Sequence, residues 1–126
     1  MKYNTSAFEM NQIDAAYINT LVELINACRA FNVKIDKVCH YQNGWIITFE
    51  GYEHADAICH DGSYGSPCYM AGFLNDGHNN DWSCIGEWET IGFPWDGEDV
   101  SVHDSYTLAK MIAALRDGND WHTYEI

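Results

Sequence analysis

The distribution of charged residues constrains this chain more than any single motif does. No Lys or Arg occurs in the 72 residues from 38 to 109, although the same stretch carries 12 carboxylates. Such a stretch cannot neutralise itself with internal salt bridges, so it must tolerate its own repulsion, bind cations or meet a basic surface. The carboxylates are Glu50, Glu53, Asp56, Asp61, Asp76, Asp81, Glu87, Glu89, Asp96, Glu98, Asp99 and Asp104.

The total charge narrows the choice of partner. The chain has 19 acidic side chains against 6 Lys and Arg, which gives a formal charge of −13. Direct binding to a nucleic acid or to an anionic membrane is disfavoured, because phosphate groups would be repelled. A high net charge also keeps a protein in solution, so an accessory domain whose charge serves only solubility is the plain alternative.

Length and composition predict one acidic domain over residues 1–126. Hydrophobic residues make up 47% of the chain, enough for a core that needs neither disulfides nor a structural metal. No apolar run approaches the ~20 residues of a membrane span, and Lys2 is followed by polar residues instead of the apolar stretch of a signal peptide. We therefore expect a cytoplasmic protein whose five cysteines are free thiols.

The first half of the chain predicts a helix followed by a hairpin. Apolar residues recur at helical spacing up to a helix end near Asn32, and Cys28 lies on this stripe as a buried thiol. Residues 33–41 and 45–50 are rich in β-branched and aromatic side chains, which favours two strands. Between them, Asn43-Gly44 has the sequence of a two-residue type I′ turn.

The second half predicts further strands and a second helix. Strands are expected at 55–60, at 68–74 and within 81–89, and a helix is expected to begin near Asp104 and to end at Gly118. The predicted fold is α+β, with an N-terminal helix, a four- to five-stranded mostly antiparallel sheet and a C-terminal helix. The helices are expected to form a single layer on the sheet.

Residues 76–104 combine carboxylates with large aromatic side chains, a composition typical of interfaces that pair with Arg or Lys. Within this segment, the loop 92–99 is the strongest candidate, because Pro94 and Gly97 favour a turn that would hold Trp95 outward. The predicted partner-binding residues are Asp76, Asp81, Trp82, Glu87, Trp88, Glu89, Trp95, Asp96, Glu98, Asp99 and Asp104.

These features favour binding over catalysis. Our first hypothesis is an inhibitor or decoy that presents carboxylates where a basic nucleic-acid-binding enzyme or complex expects phosphates. In size and composition the chain is similar to phage counter-defence factors of the anti-CRISPR and anti-restriction type. An immunity protein against a basic nuclease toxin belongs to the same class, and a homodimer is left open.

A small Cys/His enzyme or small-molecule binder is the alternative from another class. Its site would lie in the Gly-rich residues 61–81 and would use Cys68, His60 or His78. The spacing of cysteine and histidine lacks the pairs that structural zinc sites usually have, although Cys68, His78 and Cys84 would meet if the loops folded back. We expect no metal, no cofactor and no catalytic residue.

The irregular cysteine and histidine spacing yields a prediction about stability. Chelation with EDTA and reduction with a phosphine should each leave the melting temperature nearly unchanged, because neither a metal nor a disulfide is expected to hold the fold. Differential scanning fluorimetry checks this. A loss of many degrees with EDTA, together with about one zinc per chain by elemental analysis, would instead support a site at Cys68, His78 and Cys84.

Overall fold

A computed structural model describes residues 7–63, 66, 87–95 and 101–121, with side chains described in 14–63, 66, 87–95 and 104–121. These residues confirm the predicted α+β fold. The elements in chain order are α1 (Ala7–Ala30), β1 (Ile35–Tyr41), β2 (Gly44–Phe49), β3 (Tyr52–Cys59), β4 (Trp88–Ile91), β5 (Ser101–His103) and α2 (Ser105–Asp117). The five strands form one antiparallel sheet in the order β1-β2-β3-β4-β5.

Both helices end where the sequence predicts, and for the same physical reason. Asn32 adopts a left-handed conformation with φ of 55°, and the next residue, Val33, donates its N–H to the carbonyl of Cys28 over 2.8 Å. Gly118, with φ of 73°, ends α2 in the same way. This arrangement satisfies carbonyls that the last helical turn leaves without a partner.

The hairpin turn lies one residue earlier than predicted. Gln42 and Asn43 have positive φ values of 44° and 63°, while Gly44 pairs with Tyr41 as the first residue of β2. A Cβ atom on Gly44 would lie 2.0 Å from the carbonyl oxygen of Cys59. The glycine is therefore required by the close approach of β3, and Gln42-Asn43 takes the two turn positions.

The two helices lie side by side and run parallel. The Ser105 hydroxyl, at the start of α2, donates to the carbonyl of Thr20, in the middle of α1, over 3.0 Å. Near their C-terminal ends, the Arg116 guanidinium donates to the carbonyls of Phe31 and Asn32, over 3.2 and 2.5 Å. Contacts advance in the same direction along both helices, and α1 packs on β2 while α2 packs near β5. The helices thus form one layer on the sheet, as predicted.

The core lies between the sheet and this layer, and tryptophan indoles connect its parts. The Trp45 indole N–H donates to the carbonyl of Tyr17 over 2.8 Å. The Trp88 indole N–H donates to the Ser105 hydroxyl over the same distance. A buried indole N–H needs such an acceptor. The largest fully buried side chains are Trp88, Trp95, Tyr17, Phe49, Leu24, Ile47, Leu108, Met111, Ile112, Thr20 and Thr90.

The predictions that Trp95 is held outward and that Trp88 contributes to a binding surface are wrong. Trp88 is 0% exposed and Trp95 is 1% exposed. The Trp95 indole donates to the Thr90 hydroxyl over 2.8 Å, and its ring lies 5.2 Å from Phe93 and 4.8 Å from Trp121 between centroids. Burial of these rings outweighs the turn-forming sequence of the loop, because each large aromatic removes much apolar surface from water.

Replacement of Trp95 by alanine should therefore act on stability. We expect Trp95→Ala to lower the free energy of unfolding by about 3–5 kcal/mol, the usual range for a buried large aromatic. Trp95→Phe keeps most of the ring packing and should cost less. Urea unfolding measures both, with Ile91→Ala, at a side chain that is 44% exposed, as the surface control. Equal stability of Trp95→Ala and the Ile91→Ala control would contradict the packing described above.

Candidate functional site

The parallel helices give the molecule two electrically different ends. Both C-termini lie at one end, where the macrodipoles concentrate partial negative charge. Arg29 and Arg116 stand in the last turns of α1 and α2, and Lys34 lies beside Arg116 in an open groove of about 400 Å³. These bases neutralise the C-terminal end, and Arg116 also pairs with Asp117 over 2.8 Å.

The opposite end collects carboxylates from three neighbouring strands. Asp61 follows β3, Glu87 precedes β4, and Asp104 follows β5. The pairing of Ile58 with Glu89, continued along the strands, brings Glu87 beside the end of β3. These three residues, Asp61, Glu87 and Asp104, form what we call the acidic end. Because neighbouring strands are ~4.8 Å apart, the three backbone positions form a short row.

Asp61 is held firmly within the acidic end. One carboxylate oxygen accepts a hydrogen bond from the Tyr17 hydroxyl over 2.6 Å, and the other accepts one from the Asn43 side-chain amide over 2.7 Å. The Asp61 backbone N–H also donates to the carbonyl of Gln42 over 3.0 Å. This carboxylate therefore ties α1 to the hairpin turn.

Asp104 and Glu87 differ in what the fold gains from them. Asp104 is the N-cap of α2, and its carboxylate accepts the backbone N–H of Thr107 over 2.6 Å, which stabilises the helix start. Glu87 is half-buried, and both this burial and repulsion from Asp104 raise the pKa of its carboxyl. Ionised Glu87 therefore costs the fold some stability.

Glu89 lies on the sheet itself. It is half-buried and pairs with Ile58 on β3 and with Ser101 on β5. Of the predicted partner-binding residues, Glu87, Glu89 and Asp104 thus have accessible surface. Asp76, Asp81, Trp82, Asp96, Glu98 and Asp99 lie outside the described residues.

The described thiols are Cys28 and Cys59, which are buried, and Cys39, which is exposed. Burial raises the pKa of both the Cys28 and the Cys59 thiol to about 12, and Glu87 adds to the effect on Cys59, so neither is a nucleophile at neutral pH. His60 lies near the acidic end, with its Nδ1 2.7 Å from the carbonyl oxygen of Asp61. Cys68 and His78 lie outside the described residues.

Within the described ranges, no group of three or more His, Cys, Asp and Glu side chains is placed to hold a metal ion. The described helices likewise include none that is long and apolar enough to cross a membrane. Sequence reasoning did not assign Tyr17, Asn43 and Asp61 to a site. Asn43-Gly44 and Asp61-Gly62 mark turns, yet no local pattern links them to a tyrosine 44 residues away from Asp61.

Comparison of the chain with protein-family models, with curated proteins and with solved structures finds no match.

The raised pKa of Glu87 predicts how stability depends on pH. Because the folded state favours protonated Glu87, the destabilisation from its charge is present at neutral pH and disappears as pH falls through the raised pKa. Glu87→Gln should therefore increase the free energy of unfolding at pH 7, by no more than about 1 kcal/mol for a partly exposed charge. The gain should shrink towards zero in acid.

Urea unfolding at several pH values measures this difference. Glu23→Gln, at an exposed position on α1, is the control for loss of one charge. Asp104→Asn, which keeps a good N-cap residue, should bring the pKa of Glu87 closer to its usual range in an NMR titration. A Glu87→Gln variant that is less stable than the wild type at pH 7 would contradict the assignment.

Proposed function

We propose that this protein binds a positively charged protein partner through the acidic end. The observation that carries the proposal is Glu87, which is half-buried beside Asp104 with its pKa raised by burial and by that neighbour. No base occurs from residue 38 to residue 109, so the charge is not relieved from within this stretch. A cationic side chain of a partner would offset the repulsion between Glu87 and Asp104. The free energy that this repulsion costs the folded protein would then favour binding.

The charge of the other end supports the same choice of surface. Arg29, Lys34 and Arg116 stand at the helix C-termini, where they compensate the dipoles of the two helices. The described part of the molecule is therefore asymmetric, with these three bases away from the acidic end. Such asymmetry orients a partner during approach and raises the association rate.

The partner that we propose is a nucleic-acid-handling protein. Neighbouring strands of the sheet space the three carboxylate-bearing positions by ~5 Å each, so the negative charges form a row, as phosphates do along a nucleic-acid strand. A surface that binds phosphates would accept such a row. A counter-defence inhibitor of the anti-CRISPR or anti-restriction type, acting in the cytoplasm, would use it in this way.

An immunity protein against a basic nuclease toxin would use the same surface, so the identity of the captured partner distinguishes the two. The alternative of a thiol enzyme receives no support from Cys28 and Cys59, which are buried and have raised pKa values. It would depend on Cys68, outside the described residues.

Neutralisation of the acidic end tests the proposal. We expect the double variant Glu87→Gln/Asp104→Asn to associate with the partner several-fold more slowly, because charges at the edge of an interface act mainly on the association rate. The control is Glu23→Gln/Glu53→Gln, which removes the same charge from exposed positions elsewhere. Capture from host lysate with mass spectrometry identifies the partner, and biolayer interferometry measures its rates.

Ionic strength and a competitor sharpen the test. Salt screens exposed charges over a Debye length of ~10 Å at 0.1 M, so the association rate should fall clearly as salt rises. A short DNA duplex should compete if the acidic end occupies a phosphate-binding surface. Association that is independent of salt, or equal for the two double variants, would rule out the acidic end as the binding surface.

A further inference from the structure

We propose that the outer edge of β1, which pairs with no strand among the described residues, and the adjoining flank of α1 form a self-complementary surface on which a second copy of this chain docks. The dimer would extend the sheet by pairing β1 with β1 of the second copy in antiparallel fashion. This surface is separate from the acidic end, and the inference does not depend on the proposed function.

The first observation is the exposure of β1. In the described sheet β1 is an edge strand, and its residues from Asp36 to Tyr41 are all exposed. Val38 is 45% exposed and Tyr41 is 47% exposed. An exposed edge offers backbone N–H and C=O groups to another strand, so β1 has the chemistry that strand addition needs.

The second observation is an exposed apolar flank on α1. Ile18 and Val22 are 55% and 47% exposed, and Ile25 is half-buried. At about 100° per residue, these positions lie on the side of α1 opposite to Thr20 and Phe31, which contact α2. Because α1 packs on β2 and α2 lies near β5, this flank faces the β1 side of the molecule.

The register of β1 determines how two copies would pair. A bulge between Ile35 and Lys37 interrupts the pleat, which leaves Lys37–Tyr41 as the regular segment, centred on Cys39. Antiparallel pairing about that centre puts each Val38 opposite His40 of the second copy and each Lys37 opposite Tyr41. No like charges face each other, and the lysine meets an aromatic ring.

The flank of α1 is self-complementary as well. The exposed residues Asp14 and Arg29 lie at opposite ends of this flank, with Ile18, Val22 and Ile25 between them. Two antiparallel copies of α1 centred between Leu21 and Val22 would place Asp14 opposite Arg29 and Ile18 opposite Ile25. Opposite charges would then flank an apolar centre, which is the arrangement expected of an isologous interface.

One two-fold axis serves both elements. The centre of the α1 pairing lies ~13 Å from Ala30, at ~1.5 Å per residue. The centre of the β1 pairing, Cys39, lies ~13 Å from Ile35, at ~3.3 Å per residue. Ala30 and Ile35 flank the tight turn that joins the two elements. The two centres are therefore at about the same height, and the strand and helix pairings are compatible.

The strand pairing would leave a groove between the two helices. If each α1 lies over its β2, the two helices are three strand spacings apart, which is ~14 Å, more than a helix diameter with side chains of ~10–12 Å, so only long side chains such as Arg29 would reach across. The Ile18 and Val22 side chains of both copies would line this groove, above the pairs of Val38 with His40. The acidic ends of the two copies lie on β3 to β5, away from the β1 edge, so the pairing does not bring them together.

Sedimentation equilibrium of the intact protein over a wide concentration range tests the proposal. We expect a monomer–dimer equilibrium, and Val38→Lys should weaken dimerisation at least tenfold. Ile91→Lys is the matched control, because Ile91 is also a strand residue and is 44% exposed, and it should leave the equilibrium unchanged. Thermal unfolding of both variants excludes loss of fold as the cause.

The charge pair provides a test of geometry. Asp14→Arg and Arg29→Asp should each weaken the dimer, because each sets like charges opposite one another, and the double variant should restore it.

Cys39 gives a test of register. It is a free, exposed thiol, and residues directly opposed across antiparallel strands have Cα atoms ~4.5–5.5 Å apart, within the range for a disulfide. Mild oxidation should therefore link two chains through Cys39.

Several outcomes would overturn the proposal. The bulge and Lys37 are also features that protect edge strands from pairing, and a protein that stays monomeric at all concentrations would show that this is their role. A dimer that Val38→Lys does not weaken, or whose cross-link does not include Cys39, would place the interface elsewhere. Failure of the charge swap to restore the dimer would exclude the antiparallel α1 pairing.

Discussion

The buried hydroxyl of Ser105 is the interaction on which the arrangement of this molecule depends. It accepts the indole N–H of Trp88 and donates to the carbonyl of Thr20, and all three residues are 0% exposed. One small side chain thus joins β4, α2 and α1 at a single point in the core. A buried polar group without such partners would cost on the order of 1–3 kcal/mol. The hydrogen bonds of Ser105 therefore require β4, α2 and α1 to meet at this point.

The parallel orientation of the helices follows from that contact together with those of Arg116 at the end of α1, and it determines the electrostatics. The two helix dipoles add at the C-terminal end that the helices share, which makes it a natural position for bases, whereas the acidic end receives the N-terminus of α2, where Asp104 caps the helix. Arg116 completes the C-terminal end by donating to the last carbonyls of α1. Helix geometry thus positions three of the six bases of this chain, Arg29, Lys34 and Arg116.

This arrangement leaves two surfaces that would bind through different forces, one through charge and the other through backbone hydrogen bonds and apolar contact. The acidic end is charged and faces along the strands, where Asp61, Glu87 and Asp104 follow one another across neighbouring strands. The β1 edge is less charged and presents backbone groups with Val38 and Tyr41. A partner attracted by long-range charge and a second copy recognised by short-range pairing would use separate parts of the molecule.

The sequence by itself determined the elements and their ends. Apolar periodicity predicted α1 and the hairpin strands, and Asn32, Asp104 and Gly118 act through local hydrogen bonds that a short stretch of sequence reveals. The absence of bases from 38 to 109 was equally plain.

Only the tertiary structure decided which aromatic residues are buried. Trp88 and Trp95 alternate with acids as surface residues would, but Ser105 and Thr90 supply hydrogen-bond acceptors for their indoles inside the core. The same holds for Asp61, whose partner Tyr17 is 44 residues distant, and for Gly44, whose role depends on the approach of β3. Contacts between residues far apart in the chain leave no periodic signal in the sequence, and they are what separates core from surface here.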